Sequence, residues 1–347
     1  MPFISVVIPT FRRLKLLRRA VASVQAQTYP DWNCLISDDE DPPGETWSFL
    51  QSLAMTDSRF RVLRNPPPRG QSNNMNTLMV AADGEWIKIL HDDDVLRPNC
   101  LAALAAAVDG QTSVAAVSCG VAEYLGGRHL RDRVFPGRSL VERIPQAHAI
   151  LGMYLQDDVG GGVPTQMMIR KSVIDKGVSW DRPEGIVSCV DSVFSMNVLR
   201  HGDSLIVRAP LVEWHQGDHE SVTSSTSEAE LDREYALLRA LQLKAIDPAL
   251  HPPSLRVSLQ FLKLIRATNR ASRRKFGQAL SLAAQAWHPQ AWALAAYWLM
   301  RRSGRYRWSR IPRIPVADDL VRAAMSPLPK TTAPASKQAR PDRPTAA

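Results

Sequence analysis

Three consecutive carboxylates, Asp92, Asp93 and Asp94, sit in the stretch ILHDDDVLRP (residues 89–98), directly after an apolar run and His91. Like charges at this spacing repel and raise one another's pKa unless a cation or several donors compensate. The stretch is therefore either a solvated turn with Asn99 capping the next helix or a cation site. Two more clusters carry comparable chemistry: PTFRR at 9–13, with Pro9, Thr10, Phe11 and Arg13, and SDDED at 37–41, with Asp38 and Asp39. Further along, CVDSVFSMNVLRHG contains Asp191, and EWHQGDHE contains His215 and His219. Asp191 reads either as a proton acceptor or as a first-turn acid facing a helix dipole.

The elements that must position these groups follow from periodicity. ISVVIP (4–9) is a short, β-branched, continuously apolar run, as expected of a strand buried on both faces. Leu14, Leu17, Val21 and Val24 then recur at helical spacing, and Pro30 ends that segment. NCLISDD (33–39) predicts a second strand, FRVLRN a third and EWIKIL a fourth, with helices over GETWSFLQSLAM and SNNMNTLMVAAD between them. Alternating strands and helices imply an α/β fold with a parallel sheet and right-handed crossovers. Ligands of such sheets bind beyond the carboxyl ends of the strands. Those ends are PTFRR, SDDED and HDDDV, so three polar clusters converge on one edge.

CLAALAAAVDG predicts another helix, SVAAVSCGVAEYL another strand, and SLIVRAPLVEWHQ (204–216) one or two more. Gly160–Gly162 resemble a phosphate cradle but lack a following Lys-Ser/Thr, and read as a flexible acceptor-side loop. From about residue 227 long helical patterns take over, opened by Ser227 and Glu230 at capping-box spacing. The expected division is 1–110, 111–226, a basic amphipathic helical region at 227–325, and a Pro- and Ala-rich tail at 326–347 expected to be disordered.

Net charge is +9, unevenly placed: residues 255–347 hold 18 Lys/Arg against 3 Asp/Glu, and residues 1–254 hold 25 against 31. A mildly acidic body thus carries a strongly basic C-terminal part, which bears on partners rather than fold. Trp287, Trp292, Trp298 and Trp308, with Arg301, Arg302, Arg305, Arg307 and Arg310, either pack helices onto the body or anchor them on anionic lipid. Four cysteines without CxxC spacing fit a reduced, cytoplasmic setting. The N-terminus lacks the pattern of a secretory leader, and AWALAAYWLM (291–300) falls short of the ~18 apolar residues of a spanning helix.

The pieces SVVIPTFRR, ASVQAQTYPDWNCLISDD, NTLMVAADGEWIKILHDDDVLRPNCL and VDSVFSMNVLRHG, in this order, resemble the family 2 glycosyltransferases. That resemblance implies a GT-A-type, Rossmann-like, mostly parallel central sheet flanked by helices, here with an added C-terminal helical region. It implies an inverting, metal-dependent transfer of a sugar from a nucleotide-diphosphate donor, a UDP-sugar, to a glycan or lipid-linked hydroxyl, as in polysaccharide assembly. By the same resemblance Asp93 is the ligand of Mg²⁺ or Mn²⁺, with His215 and His219 near the diphosphate or metal. Asp92 lies by the ribose, and Asp39 or Asp38 accepts a hydrogen bond from the base. Pro9, Thr10 and Phe11 wrap the base, Arg13 lies near the phosphates, and Asn76 matches a donor-side position. Asp191 is the catalytic base. The chain departs from the family at His91, where Asp is usual, at Met75, where Arg is common, and at Glu40-Asp41 and Val190.

Two other readings compete. A nucleotidyltransferase also needs acids at strand ends, but usually opens on a Gly-rich phosphate loop with a Lys. A non-catalytic scaffold would use the basic tail to reach membrane or nucleic acid. The expected location is cytoplasmic and peripheral on the inner face of the membrane, and nucleic acid is not the expected partner.

Overall fold

The first strand, β1 (Ile4–Thr10), is buried along nearly its whole length, as expected of its mostly apolar run. It leads into α1 (Leu14–Gln25), which turns Leu17, Ala20, Val21 and Val24 inward. There follow β2 (Trp32–Asp38), α2 (Glu45–Thr56), β3 (Phe60–Arg64), α3 (Gln71–Ala81) and β4 (Trp86–Ile89). The computed structural model describes residues 1–135, 137, 139–157, 159, 163–216, 227–272, 274–302, 311–316 and 318–326. Gly160–Gly162, His219, Trp308 and the tail from 327 lie outside the described residues.

Beyond β4 come β5 (Val95–Leu96), α4 (Cys100–Val108), β6 (Val114–Leu125), β7 (Arg128–Arg133), β8 (Val141–Ile144) and α5 (Gln146–Tyr154). Then follow β9 (Met167–Arg170), α6 (Lys171–Asp175), α7 (Val190–Leu199) and β10 (Asp203–Gln216). The C-terminal part adds α8 (Glu228–Ala245), α9 (Leu255–Ser272), α10 (Phe276–Ala284), α11 (Pro289–Arg302), β11 (Ile314–Pro315) and α12 (Asp319–Met325).

One sheet runs β11-β8-β10-β6-β9-β4-β1-β2-β3, with β5 on β10 and β7 on β6. β1, β2, β3 and β4 pair in parallel, and so do β6 and β10. β9 enters antiparallel between β4 and β6, so those two again point the same way. Along the nine-strand path only β8 and β9 run reversed, giving the expected mostly parallel sheet. The stretch 204–216 is one strand, with register shifts on either side of Pro210, where a missing N–H interrupts the ladder.

Helices cover both faces. On one side α1, α2 and α4 bury Leu17, Leu50 and Leu101 with the sheet residues Val6, Ile8 and Ile36, and Val321 of α12 joins them. On the other, α3, α5, α6 and α7 meet Val7, Leu35, Ile87 and Ile169. Leu238, Phe261, Leu264, Trp298 and Ile311 belong to that same core. The C-terminal helices are thus built into the second layer, and β11 extends the sheet. Asp318 accepts hydrogen bonds from Leu140 N (3.0 Å) and Val141 N (2.8 Å), fixing the segment before α12 to β8. Of the four C-terminal tryptophans, Trp298 is buried whereas Trp287 and Trp292 are exposed. Among the described residues no helix is long and apolar enough to cross a membrane.

Candidate active site

A cleft of about 920 Å³ opens where β1, β4 and β10 end and α7 begins. Pro9, Thr10, Phe11, Arg13, Asp39, Asp92, Asp93, Asp191 and His215 all line it, with His91, Asp94, Asn74, Trp180 and Trp214. Residues up to 206 positions apart in the chain meet here only because the parallel strands end at one edge of the sheet.

The acidic turn is held by its neighbours. Thr10 at the end of β1 donates its hydroxyl to Asp92 Oδ2 (2.8 Å). Arg13, at the start of α1, reaches across to Asp92 Oδ1 (3.4 Å) and Asp93 Oδ2 (3.1 Å). One guanidinium therefore serves two carboxylates, and its place is beside the acids. Arg19 donates to the main-chain oxygen of Asp93 (2.5 Å). Asp94 points away from them into the protein, where Thr165 Oγ1 (2.5 Å) and His215 N (3.1 Å) donate to it. Burial, then the charge of Asp93, pushes the Asp92 carboxyl up to about 6 against the pull of Thr10 and Arg13. The same two causes raise Asp94.

Behind the turn lies Lys88, a fully buried cation in the middle of β4. Its Nζ donates to the carbonyls of Ile89 (2.9 Å), Thr165 and Met167 (3.3 Å). Burial lowers its pKa. It ties the end of β4 to the segment entering β9, and Thr165 passes that constraint to Asp94. The clue in the sequence is a lone charge inside the apolar run WIKIL (86–90).

Asp191 stands in the first turn of α7, half-buried on the cleft wall. Ser192 N donates to it (2.7 Å), yet burial pushes its carboxyl up to about 6. The turn preceding it is held from α8: Glu234 Oε2 accepts from Ser188 N (2.7 Å) and Cys189 N (3.1 Å). An acid in the basic C-terminal region thus satisfies two orphan amides at the N-terminus of α7. Nothing in its sequence neighbourhood marks Glu234 for this.

Two predicted site residues lie off the cleft. Asp38 is fully buried, accepting from Glu40 N (3.0 Å) and paired with Arg64 (3.0 Å). The next residue, Asp39, faces the cleft and accepts from Asn65 Nδ2 (2.7 Å) and Gly70 N (3.0 Å). Asn76 accepts from Trp180 N (2.6 Å) and so fixes a wall residue; Asn74 faces the cleft instead, donating to Ser37 O (3.1 Å). His215 stacks on Tyr124, ring centroids 4.7 Å apart and 14° from parallel, with Nε2 3.5 Å from Glu213 Oε2. Among the described residues His91 Nε2 is buried without a hydrogen-bond partner, and burial lowers its pKa.

Among the described residues no three His, Cys, Asp or Glu side chains are grouped to enclose a metal ion. The acids present nevertheless suit a hard cation that takes one or two carboxylates and completes its shell from phosphate and water. Asp93 on the cleft wall, with the raised Asp92 beside it, is such a partial set.

A family described as glycosyl transferase family 2 matches residues 5–178. A Campylobacter jejuni subsp. jejuni protein named GalNAc(5)-diNAcBac-PP-undecaprenol beta-1,3-glucosyltransferase is 36% identical over 105 residues, 30% of this chain and 34% of that protein. The chain therefore spans about a third of that relative's length. S. aureus TarS 1-349, in complex with UDP-GlcNAc, has a similar fold with TM-score 0.58 and 14% identity, covering 87% of this chain and 88% of that one. A mannosyltransferase from Pyrobaculum calidifontis, in complex with GDP-Man and Mn2+, follows at TM-score 0.51 and 17% identity, over 88% and 83%. The likeness to these two structures is one of fold, and the architecture is of the GT-A type.

Proposed function

The chain belongs to glycosyl transferase family 2, and from that premise we propose that it is an inverting glycosyltransferase. It moves a sugar from a nucleoside-diphosphate donor, a UDP-sugar, to a hydroxyl of a lipid-linked glycan at an anionic membrane surface. The observation that carries the reading is that Asp191 and the Asp92–Asp93 pair line one cleft from different elements. The name of the C. jejuni relative supports a lipid-linked acceptor.

Each side chain then has a definite task. Pro9, Thr10 and Phe11 form a rim for the base, with Asp39 as acceptor for a ring N–H. Thr10 and Arg13 hold Asp92 for the ribose. Asp93, with Asp92 beside it, would hold a divalent ion, which when bound acts as a Lewis acid toward the leaving diphosphate. His215 lines the cleft on the stacked Tyr124, suited to the diphosphate side. Asp191, made more basic by burial, takes the proton of the acceptor hydroxyl. That oxygen forms its bond to the anomeric carbon as the carbon–phosphate oxygen bond breaks on the opposite face. The bonding pair leaves with the diphosphate, and one displacement inverts the centre.

A screen of UDP-, GDP- and other nucleotide sugars, with Mn²⁺ or with chelator, tests this reading. One donor class should be turned over, with nucleoside diphosphate released only when metal is present. Failure of every donor to bind or turn over would refute it.

A further inference from the structure

α11 poses a problem that the fold alone does not solve. Its inner face packs Ala291, Leu294, Ala295 and Trp298 into the core. Its outer face, at i, i+4 and i+7, is Trp292, Ala296 and Leu299, also apolar and also exposed. A helix apolar all round is ordinarily buried all round. α10 repeats the arrangement: only Ala279 is buried, and Phe276 and Leu280, four residues apart on one face, point outward. Trp287 lies between the two helices. Phe276, Leu280, Trp287, Trp292 and Leu299 are 44–71% exposed, and exposed apolar groups on this scale mark a contact surface.

The surrounding charge says what covers them. Residues 255–317 contain thirteen Lys and Arg and no Asp or Glu; of these, Arg266, Arg270 and Arg313 pair with acids of other elements. Arg274 and Lys275 are exposed immediately before Phe276, and the Arg256 guanidinium lies 4.4 Å from the centre of the Trp287 ring. A second copy seated on the same face would set cations against cations. A nucleic acid would satisfy the charge but leave the apolar stripe in water.

We propose that the outer faces of α10 and α11, with Trp287 between them, form an interfacial docking surface that inserts into an anionic lipid leaflet. Apolar side chains reach the boundary between headgroups and acyl chains, tryptophans lie at headgroup depth, and the flanking Lys and Arg meet lipid phosphates. The chain rests on the leaflet and does not span it. This deepens the lipid-linked acceptor of the proposed function by assigning the surface that would bring the cleft to such an acceptor.

Flotation of the full chain with phosphatidylcholine vesicles, with and without about one third phosphatidylglycerol, tests the surface in the absence of any nucleotide sugar. The wild type should float with the anionic vesicles and not with the neutral ones. Leu280→Ser/Trp292→Ser/Leu299→Ser should lose about tenfold or more in vesicle binding, with hydrolysis of a soluble donor unchanged. Quenching of the wild-type tryptophans by brominated lipid, reduced in Trp292→Phe, reads insertion without relying on the triple variant's folding.

The inference is overturned if the wild type does not float, if it binds neutral vesicles equally, or if the triple variant binds undiminished. It is also overturned if the face instead mediates a dimer that the variant abolishes, or binds oligonucleotide in place of vesicles. Flotation with a failed donor screen would overturn the proposed function and leave this surface standing; turnover without flotation would overturn this surface, and the membrane site of the reaction with it, and leave the sugar transfer standing.

Discussion

Asp191 is a carboxylate held where ionisation is difficult, and that follows from its place on the wall of a cleft. With its pKa raised by burial to about 6, it is protonated and unable to accept a proton below that pH. kcat/KM should therefore rise with pH through about 6 and then level off. Asp191→Asn should lower kcat by roughly 10²–10⁴ and leave only the part of that limb due to Asp92, whose carboxyl also stands at about 6. The same shift has the opposite effect on stability. The folded state binds this proton more tightly than the unfolded chain, so the contribution is full below the unfolded value near 4 and is lost as pH rises through about 6. Asp191→Asn should accordingly be more stable than wild type at pH 7.5 in urea melts, with the difference narrowing below pH 6 and closing toward about pH 4. Sequence indicated the cluster of acids but not which of two neighbours would face the cleft. Asp38 and Asp39 are consecutive at a strand end, where side chains alternate sides. Asn74 and Asn76 are two residues apart on a helix, about 200° around it. A choice of face in each pair depends on packing that no local pattern encodes.

At the scale of elements, long apolar periodicity identified β1 through β4 and their helices. β9 was not legible, because four residues, MMIR, in a loop-rich stretch give little period, and their partners lie about eighty positions earlier in β4 and fifty in β6. The Glu234 clamp was equally hidden, since α8 and the start of α7 meet only in the folded layer. Glu234→Ala would leave two amides at the start of α7 without their acceptor, at a cost of about 1–3 kcal/mol. The expected kinetic result is a lower kcat with an unchanged KM for donor, and recovery in Glu234→Gln, whose amide oxygen still accepts. Unchanged kcat in Glu234→Ala would mean that the clamp supports stability alone.

For the whole molecule, the sequence from residue 227 left open whether its helices pack onto the body or lie on lipid; in the structure they complete one layer of the core and the last strand extends the sheet. Charge placement was visible in the sequence; the depth to which Phe261, Leu264 and Trp298 are buried was not, because an amphipathic helix looks the same on lipid as on a sheet. Truncation after residue 250 removes these side chains together with β11, and should abolish cooperative thermal unfolding. Truncation after residue 326, which keeps all of these side chains and β11, should still give a cooperative transition. Equal transitions in the two truncated forms would contradict the shared core.

The central claim is that Asp93 holds a donor diphosphate through a divalent ion, and calorimetric titration of UDP into the full chain tests it most directly. Binding should require Mn²⁺ or Mg²⁺ and weaken by about tenfold or more in Asp93→Asn, while that variant's far-UV circular dichroism and melting transition stay those of a folded protein. Equal affinity with and without metal, or undiminished metal-dependent binding by Asp93→Asn, would contradict the account.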